Sequence, residues 1–270
     1  MTTKNLDKYA VIGNPISHSK SPPIHAAFAK QTNQDMSYEA ILAPLDGFEA
    51  TVRVLIEQGY KGVNVTVPFK FEAYNICKSL SARAVSSGCG AVNTLVNIDG
   101  NMHGDNTDGA GLRKDIEQNI RFLIESKHIL ILGAGGAAHG VLNSLLDASS
   151  ITIANRTHDK ALQLVMAMKD YAAESSSFEA LEKPYDLVIN ATSAGLTNAT
   201  LPIPNIIFSK NTLAYDMMYG RETPFMQQAK QAGALVSDGL GMLVEQAAEA
   251  FYIWRGVRPE TAPVIKMMRT

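Results

Sequence analysis

The run Ile129-Leu130-Ile131-Leu132-Gly133-Ala134-Gly135-Gly136-Ala137-Ala138 leads into an apolar helical pattern from Val141 to Leu146. Four consecutive apolar residues read as a buried strand, the glycines as a tight turn, and the residues after them as the start of a helix. Such a turn lets main-chain N–H groups and the positive end of a helix approach a pyrophosphate. The pattern is G-x-G-G-x-A. Ala138 stands where the third glycine of the dinucleotide fingerprint falls, a place that needs only close packing of helix on sheet. The same letters also describe a strand–helix turn that binds nothing. Almost half of the chain precedes Gly133, so another unit must come before the one this strand opens.

The next strand, Ile151-Thr152-Ile153-Ala154, ends in Asn155-Arg156-Thr157, with Lys160 one helical turn further on. An acid at this place, roughly twenty residues past the turn, would grip the ribose 2′-hydroxyl of NAD. Here the position is neutral and then cationic. A guanidinium makes charge-assisted, often bidentate bonds to a 2′-phosphate that a carboxylate would forbid. The pattern therefore favours NADP, the alternative being a solvated arginine at a strand end.

The chain has 270 residues and a formal net charge of -2. That length suits two domains with large cores. Mild acidity argues against general affinity for nucleic acid or a membrane surface. No apolar stretch approaches the roughly 20 residues that span a bilayer, and Met1 to Lys8 is too polar for a secretory signal. Cys77 and Cys89 are too few for a disulfide framework or a zinc site, and the six histidines show no metal-ligand spacing. A soluble, cytoplasmic protein without a structural metal is expected.

Strand and helix patterns alternate with no internal repeat. In the first half strands are expected over Tyr9–Gly13, Met36–Ala43 and Gly62–Val67, with a hairpin of Ala91–Ile98 and Met102–Gly104 across Asp99-Gly100. Ser21, before Pro22, reads as a helix N-cap. Phe48, Val52, Leu55 and Ile56 mark a second helix, and Leu112, Ile116, Ile120 and Leu123 one that begins at Asp108. In the second half strands are expected at Leu187–Asn190, Leu213–Tyr215 and Ala234–Val236. Helices start at Asp159, Phe225 and Leu240, and Ser175-Ser176-Ser177 reads as a short loop. The expected fold is α/β with two domains. An N-terminal α/β substrate domain spans 1–107 and is completed by C-terminal helices 243–270; a Rossmann-like, doubly wound dinucleotide-binding domain spans 108–242. A ligand cleft is expected between them.

In Val63-Asn64-Val65-Thr66-Val67 alternation sends three valines to one face and Asn64 with Thr66 to the other. Lys70 comes just after Pro68. Ser17-His18-Ser19-Lys20-Ser21 lies beyond the first strand, Asn93 early in the fourth, and Asn106-Thr107-Asp108 after the hairpin. Strand ends of an open α/β sheet are where ligands bind, so these residues suit a small polyhydroxylated acid. Structural roles compete: Ser17 and Ser19 with loop backbone, Asp108 as an N-cap, Lys70 as a solvated lysine.

Several stretches resemble the shikimate dehydrogenase family, in family order along nearly the whole chain. They are Val11 to Ser19, Asn64 to Lys70, Gly90 to Thr94, Gly104 to Gly109, Gly133 to Ala138, Asn155 to Thr157, Asn190 to Ser193, Tyr215 to Tyr219 and Asp238 to Met242. The resemblance implies reversible NADPH-dependent reduction of 3-dehydroshikimate to shikimate, within aromatic amino-acid synthesis. It implies that Ser17, Ser19 and Tyr219 hold the substrate carboxylate, that Asn64, Thr66, Asn93 and Gln246 bond ring hydroxyls, and that Lys70 and Asp108 are the catalytic pair. It further implies that Gly133, Ala134, Gly135, Gly136 and Ala137 with Asn155, Arg156, Thr157 and Lys160 hold the dinucleotide phosphates. Thr192, Met217, Gly239 and Met242 would lie nearer the nicotinamide. One departure is the link Val85-Ser86-Ser87-Gly88-Cys89, slightly longer than usual. A quinate/shikimate dehydrogenase of broader specificity and a non-catalytic NADP-binding sensor are the rival readings; the second is expected to lack the Lys70–Asp108 pair. A monomer or homodimer is expected.

Overall fold

The computed structural model describes residues 6–85, 90–168, 171 and 173–270. Most of the link Val85 to Cys89, from Ser86 on, lies outside the described residues. Elements run β1 (Asp7–Gly13), α1 (Ser21–Gln31), β2 (Met36–Leu42), α2 (Phe48–Glu57), β3 (Tyr60–Val65), α3 (Lys70–Asn75), β4 (Ser79–Leu80), α4 (Ala82–Val85), β5 (Thr94–Ile98), β6 (Asn101–Asp105) and α5 (Asp108–Lys114). Further along the chain are β7 (His128–Leu132), α6 (Gly136–Val141), β8 (Ser150–Ala154), α7 (His158–Ala167), β9 (Ala173–Ser176), β10 (Leu187–Asn190), β11 (Leu213–Asp216), α8 (Pro224–Gln231), β12 (Leu235–Asp238), α9 (Leu240–Arg255) and α10 (Ala262–Arg269). No helix among the described residues is long and apolar enough to cross a membrane.

The chain divides into two compact units. One comprises the described residues up to Val85, Gly90–Gly111 and Leu243–Thr270; the other is Leu112–Met242. Helices α5 and α9 carry the chain from one unit to the other.

The first unit is a six-stranded mixed sheet, order β2-β1-β3-β5-β6-β4. Strands β1, β2 and β3 are parallel and β5 and β6 run antiparallel. Asp99 and Gly100 both adopt positive φ, 51° and 81°, which is what a two-residue hairpin turn of the right twist requires. Alternation along β1 and β3 puts Ala10, Ile12, Val63 and Val65 into one core with Phe48, Val52 and Phe69. On α1, Ile24 and Phe28 pack with Val244, Ala247 and Phe251 of α9 and Val264 of α10.

Four local expectations need correction. Strand β3 stops at Val65, and Val67 is 55% exposed at the turn into Pro68 rather than sharing the core face of Val63 and Val65. Ser21 is inside α1, not its cap: Lys20 is the N-cap residue, and it is Ser19 Oγ that accepts the Ser21 N–H, at 3.3 Å. The helix from Asp108 closes in a single π-helical turn, Asp115–Asn119, so Leu123 lies past its end and is exposed. Ser175 and Ser176 belong to a strand, β9, which alternation could not reveal because an edge strand this polar has no apolar face.

The second unit is an all-parallel sheet, order β12-β11-β10-β7-β8-β9. Its central strand is buried on both faces: Ile129 and Ile131 enter one core with Val141, Ile151 and Ile189, Leu130 and Leu132 the other with Val188, Phe208 and Phe225. That explains the unbroken apolar run of β7, since helices cover both sides of such a sheet. Strand order reverses between β7 and β10, and ligands of doubly wound folds bind outside the carboxyl ends of the strands at that point.

Candidate active site

In the first unit Lys70 begins α3 immediately after the turn that ends β3, and Asp108 begins α5 after β6. The Lys70 ammonium pairs with Asp108 Oδ2, and the two side chains are only 15% and 8% exposed. Asn93 Nδ2 donates to Asp108 Oδ1 at 2.7 Å and to Thr107 Oγ1 at 3.0 Å, while Asn93 Oδ1 accepts the Thr107 N–H at 2.8 Å. Asn106 Oδ1 accepts the Asp108 N–H at 3.0 Å, and Asn106 Nδ2 donates to Ala91 O at 2.8 Å. Asp108 is therefore held through both its main chain and its carboxylate. Its position at the start of α5 serves the helix as well.

Asn64 is buried beside this group, donating from Nδ2 to Asn93 O at 3.2 Å and Thr94 Oγ1 at 3.1 Å. Gln246, on α9, accepts from Thr107 Oγ1 at 3.3 Å and lies 3.4 Å from Asn93 Nδ2. Asn93 lies just before β5 rather than within it, its main chain bonded to Val65 and Asp105 on either side. Ser17 is exposed and Ser19 half-buried on the loop after β1, and Thr66 is half-buried at the end of β3. Sequence reasoning passed over Tyr38, whose hydroxyl donates to Asn64 Oδ1 at 2.7 Å. Burial lifts that hydroxyl well above its ordinary pKa. Tyr38 lies on β2 in register with Tyr9 of β1, a placement that local pattern does not reveal. His25 stacks on Tyr38 with ring centroids 4.0 Å apart, and burial pushes it down to about 3 against a smaller opposing pull from Asn64.

In the second unit Gly133 has φ +105°, and a Cβ there would stand 3.2 Å from the Ala191 carbonyl. Gly135 caps α6 in extended conformation, and a Cβ on it would meet nothing within 4 Å. Its neighbours Gly136 and Ala137 open a helix whose first N–H groups have no intrahelical acceptor. After β8, Asn155 turns inward to its own loop, donating to Thr157 O at 2.8 Å, and Arg156, Thr157 and Lys160 are exposed. An open glycine turn flanked by unpaired cations and no carboxylate at the strand end fits a dinucleotide with a 2′-phosphate. Thr192 follows β10 and Met217 and Tyr219 follow β11, all half-buried; Gly239 precedes α9. Met242, at the start of α9, has its side chain in the core with Leu112, Ile116 and Tyr215, and its main chain bonds to Tyr215.

Asp216 was also overlooked as an individual residue. It is a fully buried carboxylate that ends the otherwise apolar β11, and a lone acid after Leu213-Ala214-Tyr215 was the visible sign. Burial pushes the Cys77 thiol up to about 12, which keeps it protonated and inert at neutral pH.

Comparison with known proteins places these arrangements in context. Residues 11–95 match the shikimate dehydrogenase substrate binding domain, residues 115–200 the shikimate / quinate 5-dehydrogenase model, and residues 239–269 the shikimate 5'-dehydrogenase C-terminal domain. A shikimate dehydrogenase (NADP(+)) from Methylobacillus flagellatus is 58% identical over 98% of this chain and 99% of its own. One of the same name from Janthinobacterium is 56% identical over 100% of this chain and 99% of its own. Among solved structures, shikimate 5-dehydrogenase of Thermus thermophilus in complex with NADP(H) and shikimate is 31% identical with a TM-score of 0.87, covering 98% of this chain and 99% of that one. With a part-buried lysine–aspartate pair in one α/β unit, a glycine turn at the switch point of the other, and relatives of this identity along its whole length, the chain belongs to the shikimate dehydrogenase family.

Proposed function

We propose that this protein catalyses the reversible NADPH-dependent reduction of 3-dehydroshikimate to shikimate, and that the Lys70–Asp108 pair carries the chemistry. The observation behind this reading is the half-buried ammonium of Lys70, held by a carboxylate that Asn93 holds in turn. NADPH, when bound, supplies the hydride. Reducing a ketone also needs positive charge at the oxygen on which an alkoxide develops, and an aimed ammonium in a water-poor site is the group for that task. Asp108 keeps Lys70 Nζ in place.

Ser17, Ser19 and Tyr219 would hold the substrate carboxylate, and Asn64, Thr66, Asn93 and Gln246 its ring hydroxyls. The buried amide of Asn64 supports this assignment, because its Oδ1 accepts only from Tyr38 among the described residues and keeps acceptor capacity that a ring hydroxyl can use. Gly133 to Ala137 would hold the pyrophosphate, Asn155 to Thr157 with Lys160 the 2′-phosphate, and Thr192, Met217, Gly239 and Met242 would lie nearer the nicotinamide end. The protein acts in the cytoplasm as a monomer or homodimer, without nucleic acid.

The test is purified protein with shikimate and NADP⁺, followed at the absorbance of the reduced nicotinamide, with quinate and NAD⁺ as controls. Turnover confined to shikimate with NADP⁺ is expected. Equal turnover of quinate would replace the reading by a broader quinate/shikimate dehydrogenase, and absence of turnover would overturn it.

A further inference from the structure

Burying a carboxylate is expensive unless its oxygens are fully engaged, and Asp216 is fully buried, with neutral donors on its oxygens and a second acid, Asp238, as its register partner on β12. Thr223 Oγ1 donates to Oδ2 at 2.5 Å, Asn190 Nδ2 to the same oxygen at 3.2 Å, and the Met218 N–H to Oδ1 at 2.9 Å. Burial, the largest influence, raises its pKa, and these three bonds oppose the rise. A residue so costly to place needs a reason.

Asn190 and Asp216 are register partners at the carboxyl ends of adjacent strands. The other end of the Asn190 amide accepts from Thr192, at 3.1 Å from its N–H and 2.7 Å from its hydroxyl. Asn190 O accepts the Met217 N–H at 3.0 Å, and Met218 O accepts the Gly239 N–H at 2.8 Å. The carboxylate therefore ties Asn190 at the end of β10 to the loop after β11 and to Thr223 at the start of α8, and the Met218 main chain it fixes bonds in turn to Gly239 before α9.

Sheet order says what those loops face. With the 2′-phosphate at Arg156 after β8 and the pyrophosphate at the glycine turn after β7, the remaining half of the dinucleotide continues in the same direction across the strand ends. The next strands are β10 and β11, spaced about 4.8 Å apart. We propose that Asp216 is a positioning residue that holds the β10 and β11 loops as the receiving surface for the nicotinamide half of NADPH. The proposal rests on the cofactor reading above.

The test measures binding by calorimetry of NADPH and of adenosine 2′,5′-bisphosphate, which carries the 2′-phosphate but no nicotinamide, together with single-turnover hydride transfer. Asp216→Asn is expected to weaken NADPH and slow transfer by roughly tenfold or more while leaving the fragment within about twofold of wild type. Thr223→Val reads the same contact if Asp216→Asn does not fold: a smaller loss in the same direction is expected, and Thr223→Ser, which keeps the hydroxyl, restores wild-type values. Equal losses for NADPH and the fragment would make Asp216 merely a scaffold residue and overturn the proposal, as would unchanged NADPH binding and transfer in both variants. A wild-type protein that binds no NADPH overturns the cofactor reading and this inference with it; wild-type binding with unaffected variants overturns this inference alone.

Discussion

Asn93 donates from Nδ2 to Asp108 Oδ1 at 2.7 Å, on the oxygen opposite the one that pairs with Lys70. The same amide accepts the N–H of Thr107, so it sets both the approach of the chain and the orientation of the carboxylate. Asn93→Ala leaves these buried groups without their partner. A stability loss of roughly 1–3 kcal/mol in urea denaturation is expected, with kcat reduced by about tenfold or more because Lys70 is then less well aimed. A variant with wild-type kcat would show that Asp108 needs no such orientation.

Lys70→Ala removes the ammonium itself. A kcat lowered by about two orders of magnitude or more, with KM for shikimate little changed, is the expected signature of charge stabilisation in the transition state. Steady-state kinetics decide it: a raised KM with kcat intact would reduce Lys70 to a binding group.

Arg156 is exposed, with no carboxylate on the strand end beside it. Arg156→Ala is expected to weaken NADPH by roughly 1.5–3 kcal/mol, the worth of a hydrogen bond to a charged group, and to leave NADH almost untouched. Titration with both cofactors checks this, and equal losses would remove the 2′-phosphate contact from the argument.

His25 is fully buried and stays neutral down to about 3, whereas the same side chain takes up a proton near 6.5 once unfolded. Below about 6.5 the unfolded chain therefore binds the extra proton. The stability contributed by neutral His25 is complete above that value and is lost progressively as pH falls toward 3. Within this window the loss amounts to about 1.4 kcal/mol per pH unit. Urea denaturation across this range should show wild type losing stability more steeply than His25→Gln, which has no ring to protonate. Parallel slopes would contradict it.

Much of this protein could be read from local pattern. Strand β7 and its glycine turn are contiguous, and an apolar run buried on both faces leaves its mark on every residue. The hairpin at Asp99-Gly100 was legible because positive φ at both positions restricts the residues allowed. Strand β9 was not, since Ala173–Ser176 is polar at a sheet edge. The Ser21 reading failed for a related reason. A serine before a proline fits both a cap and a first helical residue, and in the structure Ser21 is the second, with Lys20 at the N-cap.

The candidate site divides the same way. Lys70, Asp108, Asn64 and Asn93 were visible as polar residues at strand ends, where a satisfied core would have put apolar ones. Beyond the Lys70–Asp108 pair that the resemblance implies, their contacts were not visible, because Asn93 reaches Asp108 across 15 positions and Gln246 across 153. Nor was Asp216, whose partner Asn190 is 26 positions away on the neighbouring strand.

By itself the amino-acid sequence determined most of the strands, turns and helices, the glycine turn after β7, and a cation in place of an acid at the end of β8. These depend on neighbours a few residues apart, through backbone sterics, side-chain alternation and local charge. Only the tertiary structure decided which oxygen of Asp108 meets Lys70, which amide turns toward it, and that Asp216 is sealed from water. Those are directional hydrogen bonds between strands and helices far apart in the chain, and the order of strands in the sheets sets them.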